Sequence, residues 1–323
     1  QFEQALASYA RAIELRPDFS EAYCNRGNLL GMMKRHAEAL SDYDRALALR
    51  EENADAHNNR ATQCNELKHF EEALASSERA IALNPENIEA HNNRAVALAG
   101  MGRKTGALSG FEQIIERMPG HALAYSNRGN LLCEMGRHEE ALESFARAIA
   151  IDPEFADAHS NLGKALCDLG RYDAAKASCD TAIALRPDFP EAYINRAIVL
   201  QETGQEEMAL ADLEQALSFE PGHPKARLNH ALALLRLGRF DEGWREYEWR
   251  WSGEGIPPPS AQYRQPLWLG KESLAGKRIL LHSEQGLGDT LQFSRYAASV
   301  AALGAHVILS VEPPLADLFG SLE

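Results

Sequence analysis

Residues 122–155 read ALAYSNRGNLLCEMGRHEEALESFARAIAIDPEF, and residues 156–189 read ADAHSNLGKALCDLGRYDAAKASCDTAIALRPDF. Laid over one another they agree at Ala124 and Ala158, Asn127 and Asn161, Gly129 and Gly163, Ala141 and Ala175, and Pro153 and Pro187, a period of 34 residues. The same columns run outward in both directions. Prolines recur at Pro17, Pro85, Pro119, Pro153, Pro187 and Pro221, with Glu51 in the one empty slot. A small column holds Ala5, Ala39, Ala73, Ala107, Ala141, Ala175, Ala209 and Gly243; a second holds Gly27, Ala61, Ala95, Gly129, Gly163, Ala197 and Ala231. A bulky column holds Tyr9, Tyr43, Phe111, Phe145, Leu213 and Tyr247, interrupted by Ser77 and Cys179.

Each period carries two apolar patterns of helical spacing, parted by a short polar or glycine turn such as Met135-Gly136-Arg137. Proline closes the second helix because it lacks an N–H and restricts the residue before it. Small residues let crossing helices approach, and the bulky column fills the space between layers. One such unit cannot bury its apolar face alone, so the units must stack. The expected fold is mainly α: an α-solenoid over residues 1–251, a half repeat followed by seven full ones, then a partial α/β Rossmann-like segment. Residues 252–276, with Pro257-Pro258-Pro259, read as a linker, and residues 277–323 as the truncated opening of an α/β domain.

The period and its columns resemble the tetratricopeptide repeat family. Where that family has leucine before the Gly/Ala column, this chain has Arg26, Arg60, Arg94, Arg128 and Arg196, with Leu162 and His230 as exceptions. These arginines are expected to lay their stems on apolar surface and pair with acids of a neighbouring helix. The third unit carries Gly106 and Gly110 inside its second helix, each costing roughly 1 kcal/mol relative to alanine.

The chain of 323 residues has net charge −14 and mean hydropathy −0.37, and most of the charge lies in residues 1–251. Such a surface does not suit nucleic-acid phosphates. No apolar run is long enough to span a membrane. Cys24, Cys64, Cys133, Cys167 and Cys179 form no Cys-x-x-Cys pair and read as packing residues of a cytoplasmic protein. The histidines show no metal-ligand spacing. The opening Gln1-Phe2-Glu3 reads as the middle of a repeat, so a piece of a longer protein is expected.

A further column is asparagine throughout: Asn25, Asn59, Asn93, Asn127, Asn161, Asn195 and Asn229. Asparagine is a poor helix former, and on the helical wheel Asn25 points away from the stripe of Tyr23, Gly27 and Leu30. The column is therefore expected on the surface. The resemblance places that face along the concave inner groove, where an amide can meet both groups of a peptide unit. The alternative is a bond between neighbouring repeats. Glu21, Asp55, Glu89, Asp157 and Glu191 flank the column, with Glu66, Glu134, Asp168 and Glu202 nearer the helix ends, so neutral or basic peptides are the expected partners.

After an aromatic cluster of Trp244, Tyr247, Trp249 and Trp251, expected to cap the solenoid, the period changes. Residues 278–282 and 306–311 read as buried parallel strands, 290–303 as one amphipathic helix and 314–322 as the start of another. The loop Gly286-Leu287-Gly288-Asp289 lacks the third glycine of a dinucleotide fingerprint, since Leu291 holds that slot. A plain tight turn is open to it. Residues 282–296 also resemble the first loop of GT-B glycosyltransferases, including the heptosyltransferases and the type joined to tetratricopeptide repeats. That resemblance implies Asp289 as the general base, and a nucleotide sugar for the full-length protein although none for this fragment, which would be inactive. The competing reading is a non-enzymatic scaffold.

Overall fold

The computed structural model describes residues 2–252, 265–268, 270–283 and 286–320. The chain divides into two compact units, Gln1–Glu254 and Gly255–Glu323.

The first unit alternates two kinds of helix. First helices are α2 (Ser20–Met32), α4 (Ala54–Glu66), α6 (Ile88–Gly100), α8 (Ala122–Glu134), α10 (Ala156–Asp168), α12 (Pro190–Glu202) and α14 (Pro224–Arg236). Second helices are α1 (Phe2–Leu15), α3 (His36–Leu49), α5 (Phe70–Leu83), α7 (Lys104–Arg117), α9 (His138–Ile151), α11 (Tyr172–Leu185), α13 (Glu206–Phe219) and the shorter α15 (Phe240–Tyr247). Successive first helices touch one another, α4 with α6 and α10 with α12 most closely; second helices do not pack on each other to that extent. The row of first helices is therefore the crowded, inner side of the stack.

The turns explain the regularity. After each first helix the chain enters the left-handed region at Lys34, Lys68, Gly102, Gly136, Gly170, Gly204 and Gly238. The next residue then donates back to a carbonyl five residues earlier, as Arg137 N does to Leu132 O at 2.8 Å. This is the Schellman closure, which satisfies carbonyls the helix end leaves open. Helix starts are capped by Asn53, Asn87, His121 and His223, each accepting the N–H of an alanine three residues on.

The small columns sit where helices cross. Ala39, Ala73, Ala107, Ala141, Ala175 and Ala209 are fully buried. A methyl added at Gly129 would come within 2.7 Å of the Phe145 ring, and one at Gly163 within 2.5 Å of Cys179 Sγ. The bulky column and the Gly/Ala column thus interlock, and Cys179 takes the aromatic's place where Gly163 faces it. The aromatic cluster lies at the end of this unit, with Trp244 largely exposed. Trp244 meets Tyr247 edge to face at 5.7 Å, and the guanidinium of Arg227 on α14 lies over Trp249.

The second unit holds β1 (Arg278–His282), α16 (Leu287–Phe293), α17 (Tyr296–Ala302), β2 (His306–Ser310) and α18 (Pro313–Gly320). The strands pair in parallel with Arg278 opposite His306 and Leu280 opposite Ile308. Three expectations are corrected. The helix expected at 290–303 is two short helices parted at Ser294 and Arg295, where Ser294 Oγ donates back to Leu291 O at 2.8 Å. The strands are half-buried, not buried: Leu280 and Ile308 share an exposed face. Among the described residues the sheet has only two short strands, so the expected partial Rossmann-like segment is not clearly formed. The tri-proline of the expected linker falls outside the described residues. Further along, Leu274 is buried and Gly276 donates to Gly304 O, which ties that part of the linker to the second unit.

Candidate functional site

The asparagine column lies along the row of first helices, and the structure brings four of its amides into contact with the preceding unit. Asn59 Nδ2 donates to Asn28 Oδ1 at 2.9 Å. Asn93 Nδ2 donates to Asn58 Oδ1 at 2.9 Å and to Thr62 Oγ1 at 3.0 Å. Asn127 Nδ2 donates to Asn92 Oδ1 at 3.0 Å, and Asn195 Nδ2 to Ser160 Oγ at 3.0 Å. Asn93 and Asn195 are buried. Their burial corrects the expectation of a surface column: the neighbouring first helix covers a face that a single-helix wheel shows as open. Asn25 is exposed, while Asn161 and Asn229 are half-buried and make no side-chain hydrogen bond among the described residues.

The bonds all run one way. Each N–H is spent on the preceding unit, while the oxygens of Asn93 and Asn127 accept nothing among the described residues. Asn195 Oδ1 instead receives Lys225 Nζ at 3.4 Å. Four of the seven amides thus turn a donor inward, whereas Asn25, Asn161 and Asn229 keep donor and acceptor alike.

Four of the five arginines do what was expected of them; Arg94 forms no ion pair among the described residues. Arg26 grips Asp42 with two bonds, of 2.7 and 2.6 Å. Arg60 reaches Asp44 of the preceding second helix and Ser76 and Glu72 of its own. Arg128 lies between Glu112 and Ser144, and Arg196 between Asp180 and Asp212. Each of these last three clamps two second helices to one first helix.

The flanking acids are partly neutralised. Glu21 pairs with Arg50 at 3.5 Å, Glu89 with His121 at 3.1 Å, and Asp157 with Arg186 at 2.9 Å. Glu134 lies 3.8 Å from Lys104. Asp55, Glu66, Asp168 and Glu202 form no ion pair among the described residues.

Glu191, Glu220 and His223 bring three ligand atoms within 4.8 Å of one another. The chemistry of that donor set disfavours a metal. His223 Nδ1 accepts the Ala226 N–H, so the neutral ring carries its proton on Nε2, the atom turned to Glu191. A metal would have to displace that proton or break the cap.

One column escaped the reading of the sequence. His57, His91, His159, Tyr193 and Arg227 occupy one register and each bonds the carbonyl six residues earlier, at Glu51, Pro85, Pro153, Pro187 and Pro221. The signal was present, since every one of these side chains is a donor long enough to reach back over the turn.

In the second unit Gly286 precedes α16, and Gly288 and Asp289 lie exposed in its first turn at the carboxyl side of β1. Thr290 Oγ1 donates to Glu312 Oε2 at 3.2 Å.

Models of the tetratricopeptide repeat match residues 20–53 and 190–223, and a TPR repeat model matches residues 1–34, 63–102, 129–170 and 163–204, so together they take in more than half of the chain. The chain belongs to the tetratricopeptide repeat family. The matched residues end at 223. A thermophilic TPR protein of Thermus thermophilus, TTC0263, shares 27% identity over 57% of this chain and all of its own, with a TM-score of 0.53. A tetratricopeptide repeat protein of Parabacteroides merdae shares 17% identity over 75% of this chain and 96% of its own, with a TM-score of 0.56. Protein FlbA of Caulobacter vibrioides is 42% identical over 86 residues, which is 26% of this chain and 14% of FlbA. No helix among the described residues is long and apolar enough to cross a membrane.

Proposed function

We propose that the solenoid is a protein-binding scaffold whose row of first helices holds an extended, neutral or basic polypeptide. Tetratricopeptide repeats serve as protein-binding scaffolds, and one observation carries the finer reading: four of the row's amides turn an N–H inward, while the exposed carboxylates of Asp55, Glu66, Asp168 and Glu202 stand along it with no ion pair among the described residues. An acceptor-rich face matches ligands rich in N–H donors, which are peptide backbones and cationic side chains. Contacts of this kind grip the main chain and leave side-chain identity largely unread. Fluorescence anisotropy with unstructured neutral, basic and acidic peptides tests this. Basic peptides are expected to bind best and to weaken as salt rises. Equal binding of all three, insensitive to salt, would sink the reading.

A second reading gives the scaffold a client: recruitment of acceptor chains to a glycosyltransferase that residues 277–323 open and a longer protein completes. What supports it is the parallel β1 and β2 with Gly286, Gly288 and Asp289 at the carboxyl side of β1. In that reading Asp289 is the base and a nucleotide sugar the donor. The test is transfer by the full-length protein across a panel of nucleotide sugars, beside Asp289→Ala; transfer undiminished in that variant removes Asp289 from the chemistry.

A further inference from the structure

Between α2 and α4, at the carboxyl ends of both, lies a cavity of about 370 Å³. Its floor is neutral and already committed. Asn28 Oδ1 accepts both the Tyr43 hydroxyl at 2.6 Å and Asn59 Nδ2 at 2.9 Å, which fixes the two asparagines. Gln63 Oε1 is held by His36 Nδ1 at 2.9 Å. Two groups on the lining are not committed in this way. Glu66, the last residue of α4, is exposed and has no ion pair among the described residues. Met32, the last residue of α2, is 72% exposed, an unusual placement for a thioether.

We propose that this cavity takes the side chain of an arginine or lysine from the polypeptide held on the first-helix row, and the proposal rests on that reading of the row. The long methylene stem of either residue lies along Met32, whose flexible thioether adapts to an irregular apolar partner. The cationic head reaches the one open charge, Glu66, and makes a charge-assisted hydrogen bond there. An acidic side chain would meet Glu66 as a like charge. A glutamine would fill the same space and forgo the charge. The cavity thus adds a position-specific preference to a face that otherwise grips the main chain.

The test uses the whole chain labelled with carbon-13 at the methionine methyls, with Met32 assigned through Met32→Leu. The probes are an unstructured Gly/Ser/Thr peptide with one central arginine, its lysine twin and its glutamine twin. The arginine and lysine peptides are expected to move the Met32 methyl signal and to bind about threefold tighter than the glutamine twin, with Glu66→Gln abolishing that advantage. Equal binding by the glutamine twin overturns the cavity proposal and leaves the groove reading standing. An arginine preference that survives Glu66→Gln, or that leaves Met32 unmoved, places the preference elsewhere and also overturns it. Binding by none of the three overturns both readings.

Discussion

Arg196 holds Asp212 through two parallel bonds, Nε to Oδ2 at 2.7 Å and Nη2 to Oδ1 at 2.6 Å, and its remaining nitrogen reaches Asp180 at 2.7 Å. Asp212 is buried, so removing the guanidinium strands a carboxylate. Arg196→Ala should cost about 2–3 kcal/mol. Because a repeat array loses stability locally, the loss should appear as faster amide exchange in α11 and α13 before it appears in α3. Unchanged exchange in those two helices would show the clamp to be ornamental.

Stability should fall in acid through Asp180. Burial alone would lift its carboxyl, but hydrogen bonds from Lys176 and Arg196 outweigh it and hold the group below the usual carboxylate range. A folded value below the unfolded one means the stabilisation is present above pH ~4 and is lost as pH falls through the folded value. Urea midpoints measured from neutral to acidic pH should decline in that window. Asp180→Asn should be less stable at neutral pH and show a flatter acid decline.

The two glycines of α7 should respond in opposite directions. A methyl at Gly106 meets only Leu98, at 3.7 Å, an ordinary contact. Gly106→Ala is expected to stabilise by about 1 kcal/mol. A methyl at Gly110 comes within 3.0 Å of Ala95 Cβ, so Gly110→Ala should gain nothing or lose. Thermal melts of the two variants side by side decide it.

Alanine at the asparagines should sort them by their bonds. Asn93→Ala leaves Asn58 Oδ1 and Thr62 without their donor and should cost about 1 kcal/mol. Asn161→Ala should leave the melting curve unmoved. A peptide-binding defect in Asn161→Ala with intact stability would give that residue to the ligand; a stability loss there would contradict the geometry.

Much of this fold was legible. The period, both helices of every unit and the turn between them follow from columns of proline, alanine and glycine, because these residues act through the backbone and leave the same mark in every copy. The clamp was legible further than it was taken. Arg60, Arg128 and Arg196 each pair with an acid sixteen residues before them, and His230 has Glu214 and Glu246 on either side; Arg94 has Glu78 at that spacing and forms no ion pair with it. Leu162, the exception, has Ala146 and Ser178 there instead. The asparagines resisted reading for a physical reason. A helical wheel fixes the direction of a side chain, but whether that direction meets water depends on the next helix, which no single repeat contains. The strands of the second unit were placed correctly and their burial was not, because an apolar run does not say what covers it.

Between two complete units, the clamp and the asparagine bond fail together at one place among the described residues. Between the units that begin at Ala122 and Ala156, Asn161 makes no backward bond among the described residues and Leu162 carries no charge. The boundary is held chiefly by Phe145, Ala165, Leu142 and Leu162, with one exposed ion pair between Arg171 and Glu139. Hydrogen bonds fix an angle, whereas apolar contact tolerates sliding. The stack is therefore not a uniform spring: at this internal joint apolar contact and one exposed ion pair, not hydrogen-bonded clamps, set how the two units meet.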